Sequence, residues 1–309
     1  MQNNTLLIVG SIAIDSIETP FDSRKNILGG STTYSLVVSG ENVPTAVVGI
    51  VGNDFPKEGM KIFKKYSNNL EDLTISEGKT FSWGGKYLKN WDDRETLFTD
   101  LGAFEDFKPV LSKSNQNHSH IFLANIHPDL QQLVIDQSLN SNKIIAIDTM
   151  NLWIDIARDS LHNVLASSDI LFINESEASL FSGKKTIYDS ASLFLDLGLK
   201  IVVVKKGGQG AELFSNEEKI KIGAYKVNVV DPTGAGDVFG GAFISTLAQG
   251  GTLSDSLVNG SALASFCVQG FGTSSILNVS DSELEKRKSN LYSTLSSWLS
   301  QLEYIISTL

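Results

Sequence analysis

Asp231-Pro232-Thr233-Gly234-Ala235-Gly236-Asp237 runs directly into the apolar stretch Val238-Phe239-Gly240-Gly241-Ala242-Phe243-Ile244. Two glycines flank an alanine where a helix should begin, so no bulky Cβ bars a ligand from the backbone N–H groups. Those unpaired N–H groups and the positive end of the helix dipole make a seat for an anion, typically phosphate. The aspartate that follows would repel a phosphate, unless it takes a proton from the group that attacks it. An anion seat beside a base is the least apparatus that moves a phosphoryl group onto a hydroxyl. The competing reading is a plain turn with an acidic residue in a first helical turn.

Other segments carry weaker signals. Asn174-Glu175-Ser176-Glu177 closes an apolar run and has the spacing of a capping box, Asn at the N-cap and Glu three residues on. Lys205-Lys206-Gly207-Gly208-Gln209-Gly210 also follows an apolar run and either passes nucleotide phosphates or simply turns the chain. Gly10-Ser11-Ile12-Ala13-Ile14-Asp15 ends an opening strand on a carboxylate, and Gly29-Gly30 follows a polar stretch. His118-Ser119-His120 lacks an acidic or cysteine companion for a zinc site. No G-x-x-x-x-G-K-[ST] occurs, since Gly183-Lys184-Lys185-Thr186 lacks the upstream glycine. A dinucleotide fingerprint beginning at Gly234 would need glycine where Phe239 stands.

These pieces need a scaffold. Short apolar runs at 6–10, 45–51, 120–123, 143–147, 169–173 and 201–204 alternate with amphipathic stretches, the pattern of a parallel sheet covered on both faces. Helices are expected near 31–40, 57–66, 129–139, 175–181, 188–197, 237–249, 253–268 and 281–302. Residues 16–28 read as a polar loop, and the aromatic-rich 79–101, with Asp92-Asp93 at its centre, as a β-hairpin outside the main sheet. Ligands gather at the carboxyl ends of strands in open α/β sheets, which singles out Asp15, Asn125, Asp148, Asn151, Asn174, Lys205 and Lys206. With no linker or repeat, one domain over 1–309 is the economical reading.

Composition narrows the partners. The chain has 309 residues, 41% apolar and 19% charged, with a formal net charge of −10. No basic stripe offsets that charge, so nucleic acid and anionic membranes are disfavoured and small polar substrates remain. The single cysteine, Cys267, lies in an apolar helical stretch and reads as a core residue. Without a signal-like N-terminus or a long apolar span, a cytoplasmic location is expected.

At every position the heptapeptide 231–237 resembles the second signature of the ribokinase/PfkB carbohydrate-kinase family. That resemblance implies an α/β fold, a ribokinase-like three-layer sandwich with a mostly parallel central sheet and a small β lid built from about 16–30 and 79–101. It implies transfer of the γ-phosphoryl of ATP to an alcohol, with Asp237 as base and the N–H groups of Gly234, Ala235 and Gly236 holding the migrating group. Asn174 and Glu177 match an N-x-x-E motif that organises Mg²⁺ through water. Lys205, Gly207 and Gly210 match a nucleotide loop, and Asn259 a position beside the adenine. Asp15, Gly29 and Gly30 match the acceptor site, and Asp231 and Thr233 a monovalent-cation site that takes K⁺ in some members. Family members often dimerise through the lid. Two positions depart: Ala13 and Tyr34 stand where ribokinases carry asparagine, which argues against free ribose bound in the ribokinase manner. Tyr34 would stack on a ring or fill space. The acceptor expected is a sugar or sugar-like polyol, then a nucleoside such as adenosine, with a non-catalytic nucleotide-binding relative as the third reading.

Overall fold

Leu6–Val9 is apolar at every position and buries all four side chains, which a strand can do only inside a sheet covered on both faces. The computed structural model describes residues 4–89, Trp91 and 94–299. In chain order the strands are β1 (Leu6–Val9), β2 (Ala13–Glu18), β3 (Ser23–Gly29), β4 (Thr45–Gly52), β5 (Leu73–Ser76), β6 (Ser82–Tyr87), β7 (Arg94–Asp100), β8 (His120–Leu123), β9 (Ile144–Asp148), β10 (Ile170–Asn174), β11 (Ile201–Lys205), β12 (Ala211–Ser215), β13 (Glu218–Ile222) and β14 (Ser296–Leu299). Two sheets form. The larger runs β14-β13-β12-β11-β10-β9-β8-β1-β4-β5, and the smaller β3-β2-β6-β7. From β11 to β5 every pairing is parallel, and β12, β13 and β14 add an antiparallel edge.

Helices cover both faces of the large sheet: α1 (Ser31–Ser39), α2 (Lys57–Tyr66), α3 (Pro128–Gln137), α4 (Asn151–Ile156), α5 (Arg158–Ala166), α6 (Glu175–Ser182), α7 (Ile187–Asp196), α8 (Ala235–Ala248), α9 (Leu253–Cys267) and α10 (Asp281–Tyr292). Side-chain alternation along β1 divides the core. Leu6 and Ile8 pack with α1, α8 and α9, whereas Leu7 and Val9 face α3, α5, α6 and α7.

Several expectations are corrected. Residues 16–28 are not a loop: β2 and β3 pair antiparallel, with a register shift between Asp15 and Ile17. The first four side chains of β3 are exposed, so this strand is held by backbone pairing and carries no apolar face to betray it in sequence. The helix expected over 281–302 stops at Tyr292, and the chain then pairs with β13 as β14. Helices α4 and α5 and strands β12 and β13 were not anticipated. The Asp92-Asp93 turn lies outside the described residues. Segments 16–30 and 79–101 together supply most of the small sheet, with β2 and β6 parallel at its centre.

Candidate functional site

Segments distant in sequence meet at the carboxyl ends of β9, β10 and β11. Asn174 closes β10 opposite Lys205 at the end of β11, and Asp148 ends the adjoining β9. Helix α8 starts beside them. Its N-cap, Gly234, is left-handed at φ 79° and ψ −5°, and no side chain caps the first turn; Ala235 N donates to Pro232 O at 3.2 Å, and the N–H groups of Gly234 and Gly236 have no partner among the described residues. A Cβ at Gly234 would sit 2.5 Å from the Tyr34 ring, which is packed beneath the turn. A Cβ at Gly236 would approach Lys205 Nζ at 3.1 Å. The two glycines therefore admit a ring below and an ammonium alongside.

Charge is concentrated here. Lys205 Nζ donates to both carboxylate oxygens of Asp148, at 2.9 and 2.8 Å, so its charge is already matched. Burial pushes the Asp237 carboxyl up to about 7; the neighbouring Asp148 charge adds to the shift, and Lys205 and Arg94 oppose it. Asp15, 4% exposed, is pushed up to about 8 by burial and by the charges of Asp231 and Asp237. Asp231 is likewise raised by burial. Asp15 and Asp237 lie near neutrality with the raised Asp231 beside them, and a base with the affinity of Asp237 can take a proton from an alcohol at neutral pH.

The remaining residues of interest are distributed as follows. Asn174 and Glu177 form the capping box of α6: Glu177 N donates to Asn174 Oδ1 at 2.8 Å, and Asn174 N to Glu177 Oε2 at 3.0 Å. Glu177 is buried, and burial raises its carboxyl despite the Lys205 charge. Gly207 opens a 3-10 turn that continues to Gln209, and Gly210 follows it with φ 100°. Asp15 and Gly29 lie on adjoining strands of the small sheet, and Gly30 caps α1. Asp231 Oδ1 accepts from Thr233 N at 2.9 Å, and its Oδ2 has no partner among the described residues. Asn259 is not brought to this corner: its amide donates to Thr246 Oγ1, nine residues beyond Asp237 and about 13 Å along α8. Tyr34 is 1% exposed, so its ring has no face for stacking and fills space.

Three contributors lack a sequence motif. Asp148 appeared only as one of many strand-end polar residues. Arg94 and Tyr87 come from the small sheet: the Arg94 guanidinium lies near enough to pull down the carboxyls of Asp237 and Glu177, and Thr233 Oγ1 donates to Tyr87 Oη at 3.1 Å. Among the described residues no group of three or more His, Cys, Asp or Glu side chains could hold a metal ion.

The parallel sheet, separate small sheet and glycine-opened α8 define a ribokinase-like fold. A crystal structure of an E. coli protein named as a ribokinase II, in complex with ATP and Mg²⁺, superposes with a TM-score of 0.79 over 93% of this chain and 99% of that one, at 23% identity. The model of the pfkB family carbohydrate kinases matches residues 22–279, and the chain belongs to that family. Among curated relatives, a cytidine kinase of Thermococcus kodakarensis is 24% identical over 258 residues, covering 81% of this chain and 91% of its own. An ATP-dependent 6-phosphofructokinase of Thermoanaerobacterium thermosaccharolyticum is 25% identical over 281 residues, covering 84% and 87%. The protein is thus a sugar or nucleoside kinase, a phosphotransferase. No helix among the described residues is long and apolar enough to cross a membrane.

Proposed function

We propose that the protein transfers the γ-phosphoryl group of ATP to a hydroxyl of a sugar or sugar-like polyol. The observation that carries this reading is the half-buried Asp237 carboxyl, raised by desolvation, in a first turn of α8 that no side chain caps. In the mechanism Asp237 accepts the hydroxyl proton, and the N–H groups of Gly234, Gly236 and Asp237 receive charge on the transferred group, with Ala235 N–H holding the turn through Pro232 O. Asp15 orients the acceptor at Gly29 and Gly30, and the small sheet acts as a lid that excludes competing water. Lys205, Gly207 and Gly210 border the nucleotide, with Asn259 at its far end.

Mg²⁺ fits this donor set: Glu177 has one oxygen committed to Asn174 N and is otherwise a buried carboxylate beside a lysine. Held through water by Asn174 and Glu177, the ion would offset the triphosphate charge. Asp231, with an unpartnered buried oxygen, and the Thr233 segment suit a monovalent cation such as K⁺. A nucleoside acceptor is the second reading, favoured by the cytidine kinase that aligns over most of the chain. A homodimer through the lid and a cytoplasmic location belong to the same proposal. Light scattering on the purified protein decides the first.

The test is Asp237→Asn. Turnover with sugar and nucleoside panels in an ADP-release assay is expected to fall at least about a hundredfold, with ATP binding nearly unchanged. Retention of most activity removes Asp237 as the base.

A further inference from the structure

A second polar-aromatic corner sits next to the carboxylates. Strands β8 and β9 run parallel, with Leu123 opposite Ile147, and the chain leaving each builds this corner from Asn125, His127 and Trp153. The Trp153 indole Nε1 donates to Asn125 Oδ1 at 2.8 Å. His127 meets the indole edge-on, with ring centroids 5.1 Å apart and planes at 68°. His127 is itself fixed, because its Nδ1 accepts from Asp129 N at 3.2 Å where α3 begins. All three residues are half-buried, so each keeps part of its surface uncovered.

The corner is tied to both ends of the transfer site. Gln131 Nε2, fully buried, donates to Leu123 O at 3.3 Å, Ala124 O at 3.1 Å and Asp148 O at 3.2 Å. On the other side Ser31, directly after Gly29-Gly30, donates from Oγ to Asn125 O at 3.3 Å. The same Oγ accepts from Ser11 N at 3.1 Å, on the segment that leads to Asp15. Hydrogen bonds thus link the Asn125–Trp153 pair to the Gly29-Gly30 turn on one side and to the strand end of Asp148 on the other.

We propose that this corner receives a flat heteroaromatic base carried by the acceptor sugar, so that the acceptor is a nucleoside. The inference rests on the phosphotransfer reading above and selects the second of its two acceptors over the first. The indole nitrogen is already satisfied, which leaves the ring to offer a π-face. Among the described residues the Asn125 Nδ2 donates to nothing, so it supplies a hydrogen bond to a ring nitrogen or carbonyl at the edge of a base. A fixed aromatic face beside an amide donor is the pairing that recognises a nucleobase. A free pentose has no such edge, and its hydroxyls are served by the carboxylates.

The experiment titrates the full chain with cytidine, uridine, adenosine, inosine and ribose, reading tryptophan emission and ADP release. Wild type, Trp153→Phe, Trp153→Leu and Asn125→Ala are compared. At least one nucleoside is expected to quench emission, with the quench lost in Trp153→Phe, and to show a KM about tenfold or more below that of ribose. Trp153→Leu raises that KM about tenfold, while ADP affinity stays within about twofold of wild type and reports an intact fold. A preference for ribose over every nucleoside, or a quench that survives in Trp153→Phe, overturns the base site. Nucleosides that bind at Trp153 without phosphoryl transfer to any acceptor would sink the kinase reading and leave the base site standing. Transfer to ribose alone would do the reverse.

Discussion

Asp15, Asp231 and Asp237 were each singled out from short local strings, because an aspartate that ends an opening strand or stands at a helix start is visible wherever it occurs. Their affinities were not visible, since those come from burial and from one another. The consequence is testable in stability. Burial and the charges of Asp231 and Asp237 hold the Asp15 carboxyl at about 8 in the folded protein, against an ordinary value of 3.8. Between those values the folded state keeps a proton that the unfolded chain has lost, so this contribution is complete below the unfolded value and disappears as pH rises through the folded one. Asp15→Asn cannot titrate. Thermal unfolding from pH 5 to pH 9 should therefore show the variant close to wild type at the acidic end and gaining relative stability toward the alkaline end. A difference in Tm that does not change with pH contradicts the assignment. Asp237 is raised in the same direction, but its effect on activity is opposite: in the proposed mechanism it works as base only when deprotonated, so kcat/KM is expected to rise with pH along a limb near 7. That limb should vanish from the residual activity of Asp237→Asn.

At the scale of elements, the parallel strands were legible because each buried strand is a short apolar run, and the long amphipathic helices because their period repeats for three turns or more. Elements without such a signature escaped. Strand β3 has exposed side chains and exists through its pairing with β2, while α4 and α5 are short and separated by Ala157 in a non-helical conformation. The start of α8 combines both cases. Its glycines are plain in sequence, but the reason for Gly234 includes the Tyr34 ring from α1, some 200 residues earlier. Gly234→Ala meets a left-handed backbone that costs an L-residue about 1–2 kcal/mol and an overpacked ring contact worth about 1–3 kcal/mol more. The variant should lose Tm and bind ATP more weakly, as calorimetry would register. An alanine variant with wild-type ATP affinity means that the turn does not hold the phosphates.

At the scale of the molecule, the small sheet reaches the transfer corner through Tyr87 and Arg94. Thr233 Oγ1 donates to Tyr87 Oη, and no other hydrogen bond among the described residues joins Thr233 to the small sheet. In the proposed mechanism this contact helps to keep the lid over the acceptor and water away from the phosphoryl group. Tyr87→Phe should then release ADP several-fold faster in the absence of acceptor, relative to its rate of transfer, as a coupled assay with and without substrate would show. An unchanged ratio would mean that the contact does not govern closure. What the sequence determined alone was the parallel sheet, the anion-seat motif and the principal carboxylate, because each is encoded within a few adjacent residues. The tertiary structure decided which distant groups share that corner: Asp148 with Lys205, Tyr34 under Gly234, Arg94 and Tyr87 from the second sheet, and Trp153 against Asn125. Those pairings depend on which strand ends lie side by side, and strand order is set by packing of the whole chain and not by any local run of residues.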